Sequence, residues 1–145
     1  MDDTELLAAI GRLVVDAAVL GYSIAELVAV TGGLRGEERD KRALAIVKKT
    51  GEAMRQFKRL AAKRPDLRWL MEDTNGLLGG RHMVAHAIAQ QDAVAEGRAA
   101  LFVLWRGEET MITTSQARDH ARFIREGCRR IQEVIAAETG QDHSR

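Results

Sequence analysis

Along the first thirty positions, apolar residues return at steps of three and four: Leu6, Ile10, Leu13, Ala17, Leu20, Ile24 and Val28. That period matches the turn of an α-helix and excludes a strand, whose faces alternate every second residue. The flanks of this stripe are apolar as well, with Val14, Val15, Val19, Leu27 and Val30. The helix therefore either lies at the centre of a bundle or also faces another protomer. Ser23 and Glu26, after Gly21, have capping-box spacing and allow a break near Tyr22. Thr31-Gly32-Gly33 ends the segment.

A single proline, Pro65, and abundant Ala, Leu, Arg and Glu extend the helical reading to most of the chain. A second helix is expected over about residues 37–63, with Ala43, Ile46, Val47, Thr50, Met54, Phe57, Leu60 and Ala61 inward and Lys41, Lys48, Arg55 and Arg59 outward. Pro65 stops it and, with Asp66, starts a third helix. This third helix carries Leu67, Leu70, Met71, Leu78, Val84 and Ile88 and runs to about Gln91. Gly76, Gly79 and Gly80 interrupt it. Each costs about 1 kcal/mol against alanine in a helix interior, so a kink, a loop or a close backbone approach is expected there. Beyond the polar residues 90–97, the apolar runs 99–105 and 111–113 predict a β-hairpin, with Arg106, Gly107, Glu108 and Glu109 between them. Ser115 can cap a last helix with a stripe of Ala117, Ala121, Ile124, Cys128, Ile131 and Ile135. The fold class is mostly α: a bundle of four or five helices with one short β-hairpin before the last helix. Residues 1–140 form one domain, and 141–145 a disordered tail.

At 145 residues and 46% hydrophobic content, one compact domain can bury most of the surface its unfolded chain exposes. A 30% share of charged residues argues against disorder, and on this reading the uncharged runs are too short and broken to span a bilayer. The start, MDDTELLAAIGRL, has no basic stretch ahead of an apolar one. No signal peptide, anchor or membrane partner is expected, and the location is cytoplasmic. The lone Cys128 agrees, since it can form neither an intrachain disulfide nor a cysteine-based zinc cluster. A formal charge of +1 predicts no polyanion partner, yet residues 35–68 hold twelve basic side chains against five acidic ones, a local +7 that leaves −6 elsewhere. Such asymmetry makes either a basic face that attracts phosphate or an ordinary solvated helix surface.

One stretch of the third helix departs from the alternation of core and solvent: Glu72, Asn75, Gly79, His82 and His86. At about 100° per residue these positions fall along one stripe, while Arg81 lies roughly 140° around from His86. Arg81 and His86 then converge on one ligand only through side-chain length, a kink or a second protomer.

The segment LLGGRHMVAHA at residues 77–87 resembles the signature of HEPN domains, which is an arginine, a polar residue and then a histidine after four to six intervening positions. Here these are Arg81, His82 and His86, and the long helices before the motif and the hairpin and helix after it are compatible with a HEPN-like bundle. The resemblance implies a metal-independent endoribonuclease without cofactor, often a homodimer, in which motif residues of both subunits line a cleft. His86 would act as general acid or base on the ribose 2′-hydroxyl or the leaving oxygen. Arg81 would hold the scissile phosphate and stabilise its developing charge, and His82 would orient the phosphate or assist proton transfer. Asn75, Glu72, Lys48, Arg55 and Arg59 would bind the rest of the RNA, with strong salt dependence from the basic ones. A toxin-type nuclease would imply an antitoxin or regulatory protein as partner. The alternative is a non-catalytic HEPN-like dimerisation or interaction module.

The same side chains have plainer readings. His86 can be a helix histidine hydrogen-bonded across the bundle. His82 and His86 have the four-residue spacing of a metal pair and would need Glu72 or Asp92 besides, but Met83 stands where an HExxH glutamate would be. His120, beside Arg118 and Asp119, reads as a surface residue, and His143 lies in the tail. Cys128 reads as core, and Trp69 and Trp105 as packing anchors. Glycines 76, 79 and 80 follow no strand and precede no GK[ST], which excludes a phosphate loop.

Overall fold

A computed structural model describes the backbone of residues 3–89, 100–105 and 108–143 and the side chains of residues 4–79 and 112–140. The described chain is a mostly α-helical bundle with one hairpin. Its elements are α1 (Asp3–Thr31), α2 (Gly36–Val47), α3 (Glu52–Lys63), a 3₁₀ turn (Pro65–Leu67), α4 (Arg68–Ala89), β1 (Ala100–Trp105), β2 (Glu108–Thr113) and α5 (Thr114–His143).

The first helix runs unbroken through Tyr22, so the break that the capping-box spacing allows does not occur. Ser23 is not a cap: it is buried, and its hydroxyl accepts a hydrogen bond from Gln132 Nε2 at 3.2 Å. The stop comes where the glycines predict it. Leu34 N–H donates to the Ala29 carbonyl, Gly33 N–H donates to that of Val30, and Gly33 sits at φ +90°, which is a Schellman ending. Over Thr4–Thr31 this helix is long and apolar enough to cross a bilayer by length and composition, which corrects the expectation that no segment is. Just over half of its most apolar stretch is buried within the chain.

The single helix expected over 37–63 is two helices. Residues 48–51 separate them, with Gly51 at φ +77°. Ala43, Ile46, Phe57 and Ala61 are buried as the periodicity predicts, but Val47 and Thr50, assigned to the same inward stripe, are exposed. Glu37 and Glu38 in the first turn of α2 and Glu52 in that of α3 complement the positive helix ends. Pro65 opens the 3₁₀ turn that leads into α4, close to the expected start.

The strands pair antiparallel from Ala100↔Thr113 to Trp105↔Glu108, so Glu108 and Glu109 belong to a strand and only Arg106 and Gly107, outside the described residues, separate the two. Thr113 caps α5, not Ser115. Gln116 N–H donates to Thr113 Oγ1 at 3.1 Å while Thr113 N–H donates to Gln116 Oε1 at 3.0 Å, a reciprocal capping box. The helix continues past Gly140 to His143, where the sequence predicts a disordered tail.

Contacts divide the chain into two compact units, residues 1–17 with 76–125 and residues 18–75 with 126–145. The core of the first holds Leu6, Ile10, Leu13, Ala17, Ile112, Ala117, Ala121 and Ile124. Its buried carboxylate, Asp16, pairs with Arg125 at 2.7 Å and with Arg12 at 3.4 Å. The second unit is built on Leu20, Ile24, Leu27, Val30, Phe57, Leu70, Ile131 and Ile135, with a cluster of Ala25, Ala43 and Ile46 covered by Tyr22, Val28 and Ala53. Arg64 bridges Asp66 and Glu138, and Arg130 pairs with Asp73.

Candidate functional site

The motif helix is α4. Helical structure runs from Arg68 to Ala89 without interruption at Gly76, Gly79 or Gly80. A Cβ built on Gly76 or Gly79 would meet nothing within 4 Å, so neither glycine serves a close backbone approach. The helix is anchored early: Leu67 and Leu70 are buried, and the fully buried Thr74 hydroxyl donates to the Leu70 carbonyl at 2.9 Å. Such back-bonding satisfies a hydroxyl that would otherwise be costly to bury.

Continuity fixes the geometry of the motif at the level of the backbone. Arg81, His82 and His86 all lie on α4, although their side chains are outside the described residues. The backbone positions of His82 and His86 stand about one turn, roughly 6 Å, apart on one face, and the position of Arg81 lies roughly 140° around the helix from that of His86. Glu72 and Asn75, further back on the same stripe, are exposed. Glu72 is engaged by Arg68 at 3.1 Å. Asp92 and His143 have no described side chain.

His120 corrects a sequence expectation. It is half-buried, and its Nε2 donates to the Leu77 carbonyl of α4 at 2.9 Å, where a plain surface residue was expected. A carbonyl can only accept, so the contact requires the proton on Nε2. It ties α5 to the motif helix one turn before Arg81, a long-range pairing with no signal in local sequence.

The basic residues proposed for RNA sit on α3 and in the turn before it. Lys48 is the C-cap of α2, and Arg59 lies exposed on α3. Arg55 is held by Glu52 at 2.8 Å and donates to the Thr50 carbonyl at 3.2 Å, folding back over Gly51. The pair depresses the Glu52 carboxyl below its ordinary pKa, chiefly through the Arg55 hydrogen bonds. Other members of the basic segment are likewise paired: Arg39 with Glu26 and Asp40, and Lys41 with Glu37. The local +7 of the sequence is thus partly neutralised.

An open cleft of about 320 Å³ lies in the second unit, lined by Arg64, Leu67, Trp69, Glu133, Val134 and Glu138 among others. The hydrogen bonds that Arg64 donates, to Asp66 first and Glu138 second, push its pKa up, and Arg64 holds Asp66 below the usual carboxylate range. Trp69, expected as a packing anchor, is 56% exposed on its rim. Cys128, expected in the core, is only partly buried. Among the described residues no three His, Cys, Asp or Glu side chains gather into a metal-binding group. Comparison with protein-family models, curated proteins and solved structures finds no match to this chain.

Proposed function

We propose that the chain is a HEPN-type, metal-independent endoribonuclease acting through Arg81, His82 and His86. The observation that carries the reading is the unbroken α4, which keeps the whole R-x4-H motif on one helix despite the glycines that precede it. On such a helix the positions of Arg81 and His86 lie roughly 140° apart, so with no kink to close the gap a site that uses both on one phosphate draws on side-chain length or on a second copy, and we favour the second copy. RNA is the substrate, a homodimer the active form, and a toxin-type role with an antitoxin or regulatory partner the biological setting.

In this reaction the ribose 2′-oxygen attacks the adjacent phosphorus as the bond to the 5′-oxygen breaks, leaving a 2′,3′-cyclic phosphate and a 5′-hydroxyl. His86 takes the 2′-hydroxyl proton or supplies the one the leaving oxygen needs, and an imidazole suits either task near neutral pH. Arg81 offsets the charge gathering on the phosphoryl oxygens. His82 orients the phosphate. Lys48 and Arg59 steer the backbone of the RNA, while Arg55 is already committed to Glu52.

A second reading, a non-catalytic dimerisation or interaction module, is favoured by one observation: Leu7, Val15 and Val19 on α1 are half or more exposed. Cleavage of a mixed RNA pool in EDTA separates the two. The nuclease reading expects cleavage that survives chelation, leaves 2′,3′-cyclic phosphate ends and disappears in both His86→Ala and Arg81→Ala. No cleavage by the folded wild type, or equal cleavage by all three proteins, hands the function to the module.

A further inference from the structure

On α1, Leu7 is 56% exposed, Val14 36%, Val15 57% and Val19 50%. Ala8, Gly11 and Ala18, interspersed among them, are exposed too. At about 100° per residue these seven positions fall within about 140° of the helix circumference, opposite the buried Leu6, Ile10, Leu13, Ala17 and Leu20. One continuous helix carries them all, so their spacing follows from helical geometry alone. A Cβ added to Gly11 would meet nothing within 4 Å, so among the described residues no neighbouring element packs against this glycine.

We infer that this face is a homodimer interface, with α1 of one copy lying antiparallel against α1 of a second. The face is self-complementary. A two-fold axis near the level of Leu13 brings Leu7 against Ala18, Ala8 against Val19, and Gly11 against Val14 of the second copy. In such an isologous contact each pair occurs twice, and these three pairs are apolar, with Val15 beside Arg12 at the rim. The small members allow the backbones the close approach that helix packing needs, while the large ones fill the rows at either end.

Area points the same way. The four large side chains expose on the order of 300 Å² of apolar surface and the small ones bring the face toward roughly 400 Å², the size of the largest patch on a typical monomer, which is often functional. A standard interface takes roughly 800 Å² from each partner, and transient ones less than about 600 Å². The α1 face therefore fits the small, reversible class of dimer. Charge argues against lipid as the occupant. The only basic residue of α1 is Arg12, against Asp3, Glu5, Asp16 and Glu26. A helix lying on an anionic membrane surface instead carries lysines and arginines along its polar face.

The inference shares with the nuclease reading only the expectation of a dimer, and it rests on α1, not on Arg81 or His86. Sedimentation velocity of the full chain over micromolar to millimolar concentrations should show a reversible monomer–dimer equilibrium. Val15→Glu should raise the dissociation constant at least about tenfold, with an unchanged far-ultraviolet spectrum and melting temperature because the site is exposed. Orientation is read by disulfide trapping in a Cys128→Ala background. Leu7→Cys mixed with Ala18→Cys should cross-link across chains far faster than either alone, whereas a parallel pair would do the reverse and overturn the arrangement.

A strict monomer throughout, or a dimer indifferent to Val15→Glu, overturns the interface. So does a solution monomer that pellets with phosphatidylglycerol vesicles and loses that binding in Val15→Glu, which would assign the face to lipid. RNA cleavage by the same proteins keeps the two readings apart: a Val15-sensitive dimer without cleavage supports the interface and removes the nuclease. Cleavage by a strict monomer removes the interface and also the two-copy site, leaving only a nuclease that acts within one chain.

Discussion

Asp16 is the residue whose environment is most at odds with its chemistry: a carboxylate with its side chain only 8% exposed, on the core face of a helix. Its stability depends on Arg125, at 2.7 Å and half exposed, and less on Arg12 at 3.4 Å. The two ends of the pair are unequal. Removing Arg125 leaves a buried negative charge with one weaker partner, while removing Asp16 leaves guanidinium groups that water can reach. Arg125→Ala is therefore expected to destabilise by about 1–3 kcal/mol and Asp16→Asn by less. Urea unfolding of both variants measures this, and the opposite order would show that Arg12 carries the pairing. The helical stripe Leu6, Ile10, Leu13 and Ala17 was legible in the sequence, since each is buried as its spacing demands. Neither the Asp16 pair nor the bond from His120 to the Leu77 carbonyl was, because each joins residues far apart in the chain.

At the level of elements, the informative difference is the division of residues 37–63. Val47 and Thr50 continue the three-and-four spacing of Ala43 and Ile46, so periodicity alone carries a helix straight across the turn. What breaks it is conformational. Gly51 adopts φ +77°, a region open to glycine and costly to other residues, and Arg55 folds back onto Glu52 and the Thr50 carbonyl to hold the new helix start. The lone glycine was the only signal, and three others in α4 carry no such meaning: the helix runs through them all. Gly51→Ala should lower stability by about 1 kcal/mol, through the left-handed backbone more than through contact, since the new Cβ would meet only the movable Arg55 side chain at 3.3 Å. A rise in stability would mean that the two helices fuse. The cap of α5 was legible, as Thr113 and Gln116 have the spacing of a capping box, but Ser115 lies nearer the start of the apolar stripe and drew the assignment. Of the candidate site, the motif spacing was plain in sequence, whereas the continuity of its helix through Gly79 and Gly80 was not, because propensity argues against it.

At the scale of the whole molecule, the near-zero net charge is a balance of 22 basic against 21 acidic side chains, and much of it is realised as local pairs. Asp66 is held down by Arg64, Glu52 by Arg55 and Glu126 by Arg129. Each carboxyl has a lower pKa folded than unfolded, so the native state binds fewer protons than the unfolded chain near and below the ordinary carboxylate range. Such groups contribute stability that is complete above the unfolded pKa, near 4.5 for glutamate, and is lost as pH falls through the folded values. These pairs are exposed, so each contributes modestly and salt screens it. A second effect acts in the same direction, because protonating the carboxylates leaves the 22 basic side chains unbalanced and mutually repelling. The melting temperature should therefore hold nearly level from neutral pH down to about 5 and then fall steeply below about 4.5. Added salt should soften the part of the fall due to repulsion. Thermal unfolding followed by circular dichroism across that range is the measurement. A melting temperature that rose on acidification would mean that like-charge repulsion among carboxylates outweighs the arginine pairs.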